Sequence, residues 1–595
     1  MSQSENIPPD PPEAEEPEQL ADPVIEEAAV EAEAPETKHR SVARSAGIVS
    51  IAVMFSRVLG LVRETIFAKY FGAGFLYDTF IVGFRIPNLL RDLFAEGALS
   101  AAFVKVFTDY QLKNSEKEAW RLASLVFNCL AVVLGVITII GILLSPLFVK
   151  LITYNYLGDP NHYYPAEKAA LATTLMQVMF PFILLVALAA LAMGVLNTKG
   201  KFGIPASAST AFNIASIIFG LLFAYWLSGG EWERSTDKLA IPADAAQWAI
   251  IGMAIGTIVG GAAQFLIQLP SLWKVGFRFS LNLNFRDEGV RRVMRLMGPA
   301  IIGTGAIQVK VLVDTIVASG IDGGASWLSY AFRLMQFPIG VFGVAIGTAA
   351  IPTLSRLASE ENFSKFRSTL SDAIKLVFLL AIPSACGLVV LGDPIISLIY
   401  QRGEFDAFDT NMTAWALAAY SIGLAGYAAI KVLSPAFYAL DDAKTPMYIS
   451  LASIFVHVPA SFGLMQLLST VGVSPERPNG FGHAGVALAT SIVATVNFFA
   501  LAYYMRRRIS RLNGRDIMSA LVKIVVASAA MSAVAYGAYY YLHAFFVDKT
   551  LYIRLVEAFV PIGLAGVIFL IAAKLLRIGE LERVLGALNR KLGRG

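Results

Sequence analysis

The sequence predicts an all-α polytopic membrane protein of 14 transmembrane helices, arranged as two six-helix lobes in parallel repeat plus two C-terminal helices. Three observations carry this. The 595 residues are 56% hydrophobic and only 15% charged, with a mean hydropathy of +0.62, whereas soluble domains carry roughly 25% charged residues. Apolar windows of about twenty residues, the length of a membrane-crossing helix, recur along the chain. Segments 84–104 and 332–352 also match each other at a constant offset of 248.

In chain order, residues 1–40 form an acidic tail. Its first 37 residues hold twelve acids and no base, and a Pro-, Glu- and Ala-rich stretch cannot bury enough apolar surface to fold. Disorder is expected there, and no cleavable signal peptide, because the start is acidic rather than basic then apolar. The N-terminal lobe, 41–275, holds spans at 45–69, 75–104, 122–149, 169–197, 204–228 and 247–272. The C-terminal lobe, 276–510, holds spans at 296–319, 325–355, 369–400, 411–440, 446–469 and 484–505. Two further spans, 518–545 and 555–576, occupy 511–576. The remainder, 577–595, alternates leucines with basic residues at helical spacing, a pattern suited to the cytoplasmic membrane face.

An even number of spans puts both termini on one side. With the N-terminus cytoplasmic, the cytoplasmic stretches hold about thirty Lys/Arg and the opposite loops about nine, so the positive-inside rule places both ends in the cytoplasm.

In the repeat, Phe84–Arg85–Ile86 matches Phe332–Arg333–Leu334, and Ser100–Ala101–Ala102 matches Thr348–Ala349–Ala350. The two segments are the second and eighth spans and cross in the same direction. Transporters built from such repeats bind their ligand between the halves near the bilayer midplane. Arg85 and Arg333 are therefore expected to face each other there.

Charge inside the spans is the strongest functional signal. Arg57 and Arg63 lie in the first span, Arg85 and Arg91 in the second, and Arg333 in the eighth. Each costs at least ~2.5–3.5 kcal/mol at the centre of a lone lipid-facing helix, so a wet, protein-lined cavity is implied. Guanidinium groups stay charged and grip phosphate or carboxylate in bidentate fashion, which points to a diphosphate. Asp78, Arg85 and Asp92 recur at seven-residue spacing, with Arg91 and Glu96 adjoining. Asp78–Arg85 and Arg91–Glu96 are plausible ion pairs that make such charges tolerable. In the seventh span Gln308, Lys310 and Asp314 are candidates for the cavity or for ion coupling, and Lys310 and Asp314 are spaced to neutralise each other. Lys431 in the tenth span is a further candidate, although its stem can snorkel to an interface. Gly343, Gly347, Gly423 and Gly426 read as close helix packing. Gly340 reads the same way or, just after Pro338, as a bend that serves gating.

Other function classes find little support. There is no GxxxxGK[ST] phosphate loop, no Ser/His/Asp or HExxH arrangement and no soluble domain of ATPase size. Cys129 and Cys386 form no CxxC, and His39, His162, His457, His483 and His543 are scattered. No metal and no cofactor is expected, and transport must draw on an ion gradient, the membrane potential or the substrate's own gradient.

The stretches FSRVLGLVRE (55–64), FGAG…D (71–78), PNLLRDLFAEGALSAAFV (87–104), FRLMQFPIGVFGVAIGT (332–348) and KVLSPAFYALDDAKTP (431–446) resemble the MurJ/MviN lipid II flippases. The resemblance covers about residues 41–580. It implies the multidrug/oligosaccharidyl-lipid/polysaccharide exporter fold, a central cationic cavity, and two extra helices forming a groove for the polyprenyl tail. It further implies alternating access, moving lipid II from the cytoplasmic to the periplasmic leaflet of the bacterial inner membrane without covalent chemistry. On this resemblance the cavity arginines fall on Arg57, Arg63, Arg91 and Arg333, the second-helix acid on Asp78 and the portal-side acid on Glu96.

This chain departs from the family in carrying Asp92 where a base is frequent, and Phe332 and Gln336 where acids flank the later arginine. Some relatives bind sodium in the second lobe, but FVHVPASFGL (455–464) has no acid, which leaves Asp314 and Thr490 as candidates. Expected partners are lipid II, membrane lipids and cell-wall synthesis proteins, and no nucleic acid. The alternatives are an exporter of another polyprenyl-diphosphate-linked saccharide, a drug/cation antiporter of the same superfamily, a membrane glycosyltransferase and a scaffold for wall-synthesis enzymes. The antiporter would need an acid-dominated cavity. A glycosyltransferase would need catalytic acids or a large outside loop.

Overall fold

The computed structural model describes residues 36–94, 98–156, 158, 164–230, 243–546 and 550–582. Glu96, and most of the acidic tail and of the stretch 577–595, lie outside the described residues. What is described is helical, with a single isolated β-bridge between Ser474 and Arg477.

The first half of the chain forms α1 (Glu36–Phe71), α2 (Phe75–Phe94), α3 (Ala98–Lys113), α4 (Glu116–Ile152), α5 (Ala166–Met179), α6 (Phe182–Thr198), α7 (Gly203–Leu227), α8 (Ala243–Leu266) and the short α9 (Leu269–Lys274). The second half forms α10 (Glu288–Ser319), α11 (Gly324–Pro338), a π-helical turn at Ile339–Val344, α12 (Ala345–Ser359), α13 (Phe363–Ile399), α14 (Ala407–Ile422), α15 (Leu424–Ala439), α16 (Lys444–Ser469) and α17 (Gly482–Arg508). Two more helices follow, α18 (Gly514–Phe545) and α19 (Leu551–Leu575).

Local chemistry sets many of these ends. Ser115 accepts from the Glu118 N–H, with Glu116 and Glu118 in the first turn of α4. Asp287, Asn362 and Asp406 cap α10, α13 and α14 in the same way. Such caps satisfy N–H groups that a helix cannot satisfy internally. The interruptions fall where the backbone is weakened. Pro181 separates α5 from α6, and Gly423 marks a 43° bend between α14 and α15. The π-turn follows Pro338, at the bend expected near Gly340.

Among the described residues ten helical segments are long and apolar enough to cross a membrane, or eleven if the bent α14–α15 pair counts as one span. The chain is thus a multi-pass membrane protein. Three of the expected spans fall short of that apolar standard: 45–69, 75–104 and 296–319. They correspond to α1, α2–α3 and α10, which are helical but carry Arg57, Arg63, Arg85, Arg91, Lys310 and Asp314.

Small residues let these helices approach, as the glycine pattern predicts. A Cβ at Gly343 would meet Ala428 at 3.1 Å, and one at Gly347 would meet the Lys431 carbonyl oxygen at 2.4 Å. Gly423 and Gly426 lie against α17, where a Cβ would meet Ser491 at 2.5 Å and Thr495 at 3.3 Å. Two apolar cores result. One gathers α2–α6 with the start of α10; the other runs from the end of α1 and the start of α2 through α11 and α13–α15 to α18 and α19. Helix α10 bridges them, packing against α2, α3 and α4 on one side and α16 on the other. The segment after α19 folds back onto the protein as far as it is described, with Ile578 and Leu581 buried and Glu580 3.0 Å from Lys375.

Candidate functional site

The charged side chains gather on two seams where the halves of the chain meet. On the first, α1 faces α11 and the π-turn. Glu64 is 4% exposed and is the hub. It accepts from Tyr77 Oη at 2.6 Å, Arg333 Nη2 at 2.7 Å and Arg63 Nη2 at 3.3 Å. The Arg63 guanidinium also lies 5.2 Å from the centroid of the Phe212 ring. One helix turn or more away, the exposed Arg57 lays its guanidinium over Gly340, where a Cβ would sit 2.1 Å from Nη1.

On the second seam α2 faces α10. Arg91 Nε donates to Asp92 at 2.9 Å, and the same carboxylate accepts from Gln308 Nε2 at 2.9 Å and Asn88 Nδ2 at 3.4 Å. Arg85 lies on the same helix as Arg91, with its Nε buried and without a hydrogen-bond partner among the described residues. On the first seam Glu64 bonds Arg333, 269 residues along the chain; on the second Asp92 accepts from Gln308, 216 residues along.

Several sequence expectations are corrected here. Asp78 does not pair with Arg85. It lies 3.0 Å from Lys168 Nζ and accepts from Gly323 N at 2.8 Å, Ser326 N at 2.9 Å and Ser326 Oγ at 2.6 Å. It is 1% exposed and so caps α11 from across the molecule, at the residue 248 positions along from itself. Nor do Lys310 and Asp314 neutralise each other as an ion pair. Lys310 Nζ donates to Ser453 Oγ at 3.2 Å, while Asp314 turns to His457 Nε2 at 2.8 Å, Ser461 Oγ at 3.2 Å and Thr490 Oγ1 at 3.0 Å. Lys431 is exposed on α15, away from both acids' hydrogen bonds.

One end of the seams is closed by loops. Lys168, in the first turn of α5, reaches Asp322 in the loop before α11 at 3.0 Å. Asp409, in the first turn of α14, accepts from Ala73 N at 3.3 Å in the loop before α2, and from Trp327 Nε1 at 2.9 Å. Tyr330 Oη bonds the Gly72 carbonyl at 3.1 Å, and Glu404 N bonds that of Lys69 at 2.9 Å. Gly72 (φ +62°) permits this contact, since a Cβ there would lie 2.7 Å from the Glu404 carbonyl oxygen.

Glu64, Lys168, Tyr77 and His457 were not among the sequence candidates. His457 is the one histidine, acid or base inside the expected span 446–469, which was the available signal for it; Lys168 lies just outside the span 169–197, beside Glu167. Among the described residues no group of three or more His, Cys, Asp or Glu side chains is placed to hold a metal ion. Away from the seams, a cavity of about 310 Å³ opens between α13, the α14–α15 bend and α18, lined by Ile382, Cys386, Val389, Ile422 and Ser532.

A helical membrane protein whose halves meet along charged seams is the architecture of a transporter, and solved structures share it. An inward-facing multidrug resistance MATE family transporter of the MOP superfamily superposes with a TM-score of 0.56 at 15% identity, covering 79% of this chain and 99% of that one, a likeness of fold alone. The chain belongs to the family described as Lipid II flippase MurJ, whose model matches residues 67–557. It is 35% identical over 469 residues to the probable lipid II flippase MurJ of Vibrio cholerae (78% of this chain, 83% of that protein). It is 36% identical over 465 residues to the lipid II flippase MurJ of Burkholderia cenocepacia (77% and 83%). A solved lipid II flippase MurJ in an inward closed conformation superposes with a TM-score of 0.67 at 26% identity, covering 89% of this chain and 98% of that one.

Proposed function

We propose that this chain moves lipid II from the cytoplasmic to the periplasmic leaflet by alternating access, without covalent chemistry. The observation that carries it is the pair of arginine-bearing seams, in which Glu64 pairs with Arg63 and Arg333, and Asp92 with Arg91. Arg57, Arg63, Arg91 and Arg333 bind the diphosphate and neighbouring headgroup, with Arg85 in a partly neutralised, supporting place. The acids restrain repulsion between the arginines when the cavity is unloaded and compete with the phosphates, so binding remains reversible. A cationic drug would meet a basic surface here, which favours an anionic cargo over the antiporter reading.

The 14 spans form two six-helix lobes, with both termini in the cytoplasm. The loops at 72–74, 320–323 and 401–406 then lie on the periplasmic side, and their mutual contacts make this the inward-facing form. The apolar cavity between α13 and α18 takes the polyprenyl tail while the headgroup crosses.

The test is a cell depleted of its own flippase. Arg57→Ala and Arg333→Ala, present at normal protein levels, are each expected to fail to sustain growth. The purified chain in liposomes is expected to alter leaflet accessibility of labelled lipid II, and the same arginine variants to abolish this. Growth supported by both variants would remove the arginine assignment.

A further inference from the structure

The connection between the two halves of the chain climbs the side of α4. After α9, Gly276 (φ +97°) turns the backbone. Residues 277–286 then run without helix or strand, and apolar and polar side chains alternate along them from Phe277 to Arg286. Ser124 Oγ donates to the Arg278 carbonyl at 3.3 Å. One turn further along α4, Asn128 Nδ2 donates to the carbonyls of both Ser280 and Asn282 at 2.8 Å. The chain then comes back down. Asp287 lies 4.0 Å from Arg121, and a Cβ on Gly289 would meet Leu122 at 2.5 Å. Leu281 is therefore the top of the climb.

That top reaches membrane depth. Asn128 lies six residues inside the expected span 122–149, or ~9 Å at 1.5 Å per residue. Counting from the other end agrees. The exposed Lys150 closes the far side of α4, and about twenty residues of hydrocarbon back from it end one turn or less above Asn128. On α4 itself residues 122–130 are buried, and the exposed apolar side chains begin with Val132 and Val133.

What the climb presents there is apolar and uncovered. Leu281 is 89% exposed, and Phe279, Leu283 and Trp273 each expose more than half of their surface. A contiguous apolar surface of this kind marks an interaction site. Beneath it, towards the start of α4, a cavity of about 490 Å³ is lined by Lys117, Trp120, Arg121 and Arg278, with Glu116 as its one acid. Glu116 is already paired with Lys199, so bases dominate below the apolar top.

We propose that residues 277–286 are an interfacial membrane anchor. Phe279, Leu281 and Leu283 enter the boundary between acyl chains and headgroups of the leaflet nearest the start of α4, which is cytoplasmic in the orientation proposed above. Lys117, Arg121 and Arg278 lie below them at the depth of the phospholipid phosphates. Apolar tops over basic flanks bind membrane surfaces in this way, and tryptophan such as Trp273 favours the same depth. The backbone sets the limit of entry, because irregular chain is not tolerated in open hydrocarbon. Ser124 and Asn128 satisfy three of its carbonyls, and the Asn282 N–H bonds the Ser280 carbonyl at 3.0 Å. The top can thus reach the boundary and no deeper. Since every one of these side-chain donors belongs to α4, the anchor travels with the first half of the chain. None of this depends on which cargo the chain carries.

The experiment is spin labelling of Leu281→Cys in the full chain, reconstituted in phosphatidylethanolamine/phosphatidylglycerol vesicles, with wild type labelled in parallel as the blank for Cys129 and Cys386. Collisions with oxygen, which concentrates in lipid, and with a water-soluble nickel chelate are measured by power saturation. Asn114→Cys, in the loop between α3 and α4, is the aqueous reference, and Leu143→Cys, on the exposed apolar face of α4, the lipid reference. The label at 281 is expected to lose most of the nickel collisions seen at 114 and to keep oxygen collisions near those at 143. Labels at Phe279→Cys and Leu283→Cys are expected to follow it at a shallower depth. Nickel access at 281 equal to that at 114 overturns the proposal, since the top would then stand in water. Exclusion of both reagents also overturns it, and assigns the surface to a second copy of the chain instead.

Discussion

Arg333 of the second half places Nη2 2.7 Å from the Glu64 carboxylate of the first, so one acid holds the arginine of the opposite half in place. Glu64 also takes Arg63 and the Tyr77 hydroxyl, bringing α1, α2 and α11 to a single point. The second seam is held differently, with Asp92 taking Arg91 and Gln308. Arg63, Arg333 and Arg91 therefore start from paired ground states, and an anionic ligand must replace an internal carboxylate to engage them.

Removing that carboxylate is expected to destabilise the fold. Glu64→Ala leaves two guanidinium groups facing each other. Breaking a buried pair typically costs about 3–5 kcal/mol, and here the lower end applies because the Arg333 side chain is 45% exposed. Tyr77→Phe removes a single hydrogen bond to a charge, about 1.5–3 kcal/mol. Thermal unfolding of the purified chain should rank the two in that order; equal stability of Glu64→Ala and wild type would refute the hub.

The closed end predicts a second ranking. Asp78 has four donors, three of them from the loop and first turn that begin α11, while Lys168 bonds two acids. Asp78→Ala strips the cap from α11 and strands Lys168. Lys168→Met leaves Asp78 with three hydrogen bonds. The aspartate variant is expected to be the more damaging, by roughly 1–3 kcal/mol for the additional unsatisfied groups. It should also open the 72–74 and 320–323 loops, as measured by distance between spin labels placed on them. Equal effects from both variants would show that the ion pair alone holds this end.

Much of this was legible in the sequence for physical reasons. Hydrocarbon requires long apolar helices, so the spans at 122–149 and 369–400 stand out from composition. An arginine inside an apolar span needs a reason, so Arg57, Arg63 and Arg333 announce a charged interior. Pairing was less legible, because periodicity relates residues only along one helix. Asp78 and Arg85 share a stripe, as do Lys310 and Asp314, yet Asp78 finds its partners on α5 and α11 and Asp314 finds His457 on α16. The 248-residue offset contained more than it was asked for. It marks two like segments, and Asp78 bonding Ser326 shows the helices that carry them, α2 and α11, touching at the start of each. The α5–α6 and α14–α15 breaks were missed because Pro181 and Gly423 sit inside otherwise unbroken apolar runs.

Asp442, in the loop between α15 and α16, supplies a pH dependence outside the membrane spans. Its carboxylate accepts from Thr445 N at 3.0 Å and Thr445 Oγ1 at 2.7 Å, and the Thr445 backbone N–H chiefly holds its pKa below the ordinary aspartate range. A folded-state value below the unfolded one gives stability that is present above the unfolded pKa and lost as pH falls through the folded value. Asp442→Ala is therefore expected to lower stability by about 0.5–2 kcal/mol at neutral pH, as for a lost helix cap. The gap from wild type should close on acidification below the aspartate range. A gap that persists in acid would assign the loss to packing instead.

Gly340 offers the sharpest separation of function from fold. Its absent side chain is the floor on which the Arg57 guanidinium rests, and a Cβ there would lie 2.1 Å from Nη1. Because the obstructed atom is the far end of a flexible side chain, Gly340→Ala should displace the arginine rather than the helix. Alanine's better helix propensity, about 1 kcal/mol over glycine, works in the same direction. Thermal stability is thus expected to match or slightly exceed wild type. Lipid II translocation in liposomes should fall about tenfold, which corresponds to about 1.4 kcal/mol of lost interaction. If the loss runs through Arg57, adding Arg57→Ala should cost little more, since the two changes act on one contact. A double variant far worse than Arg57→Ala, or a Gly340→Ala chain that translocates at the wild-type rate, would separate this glycine from the arginine it supports.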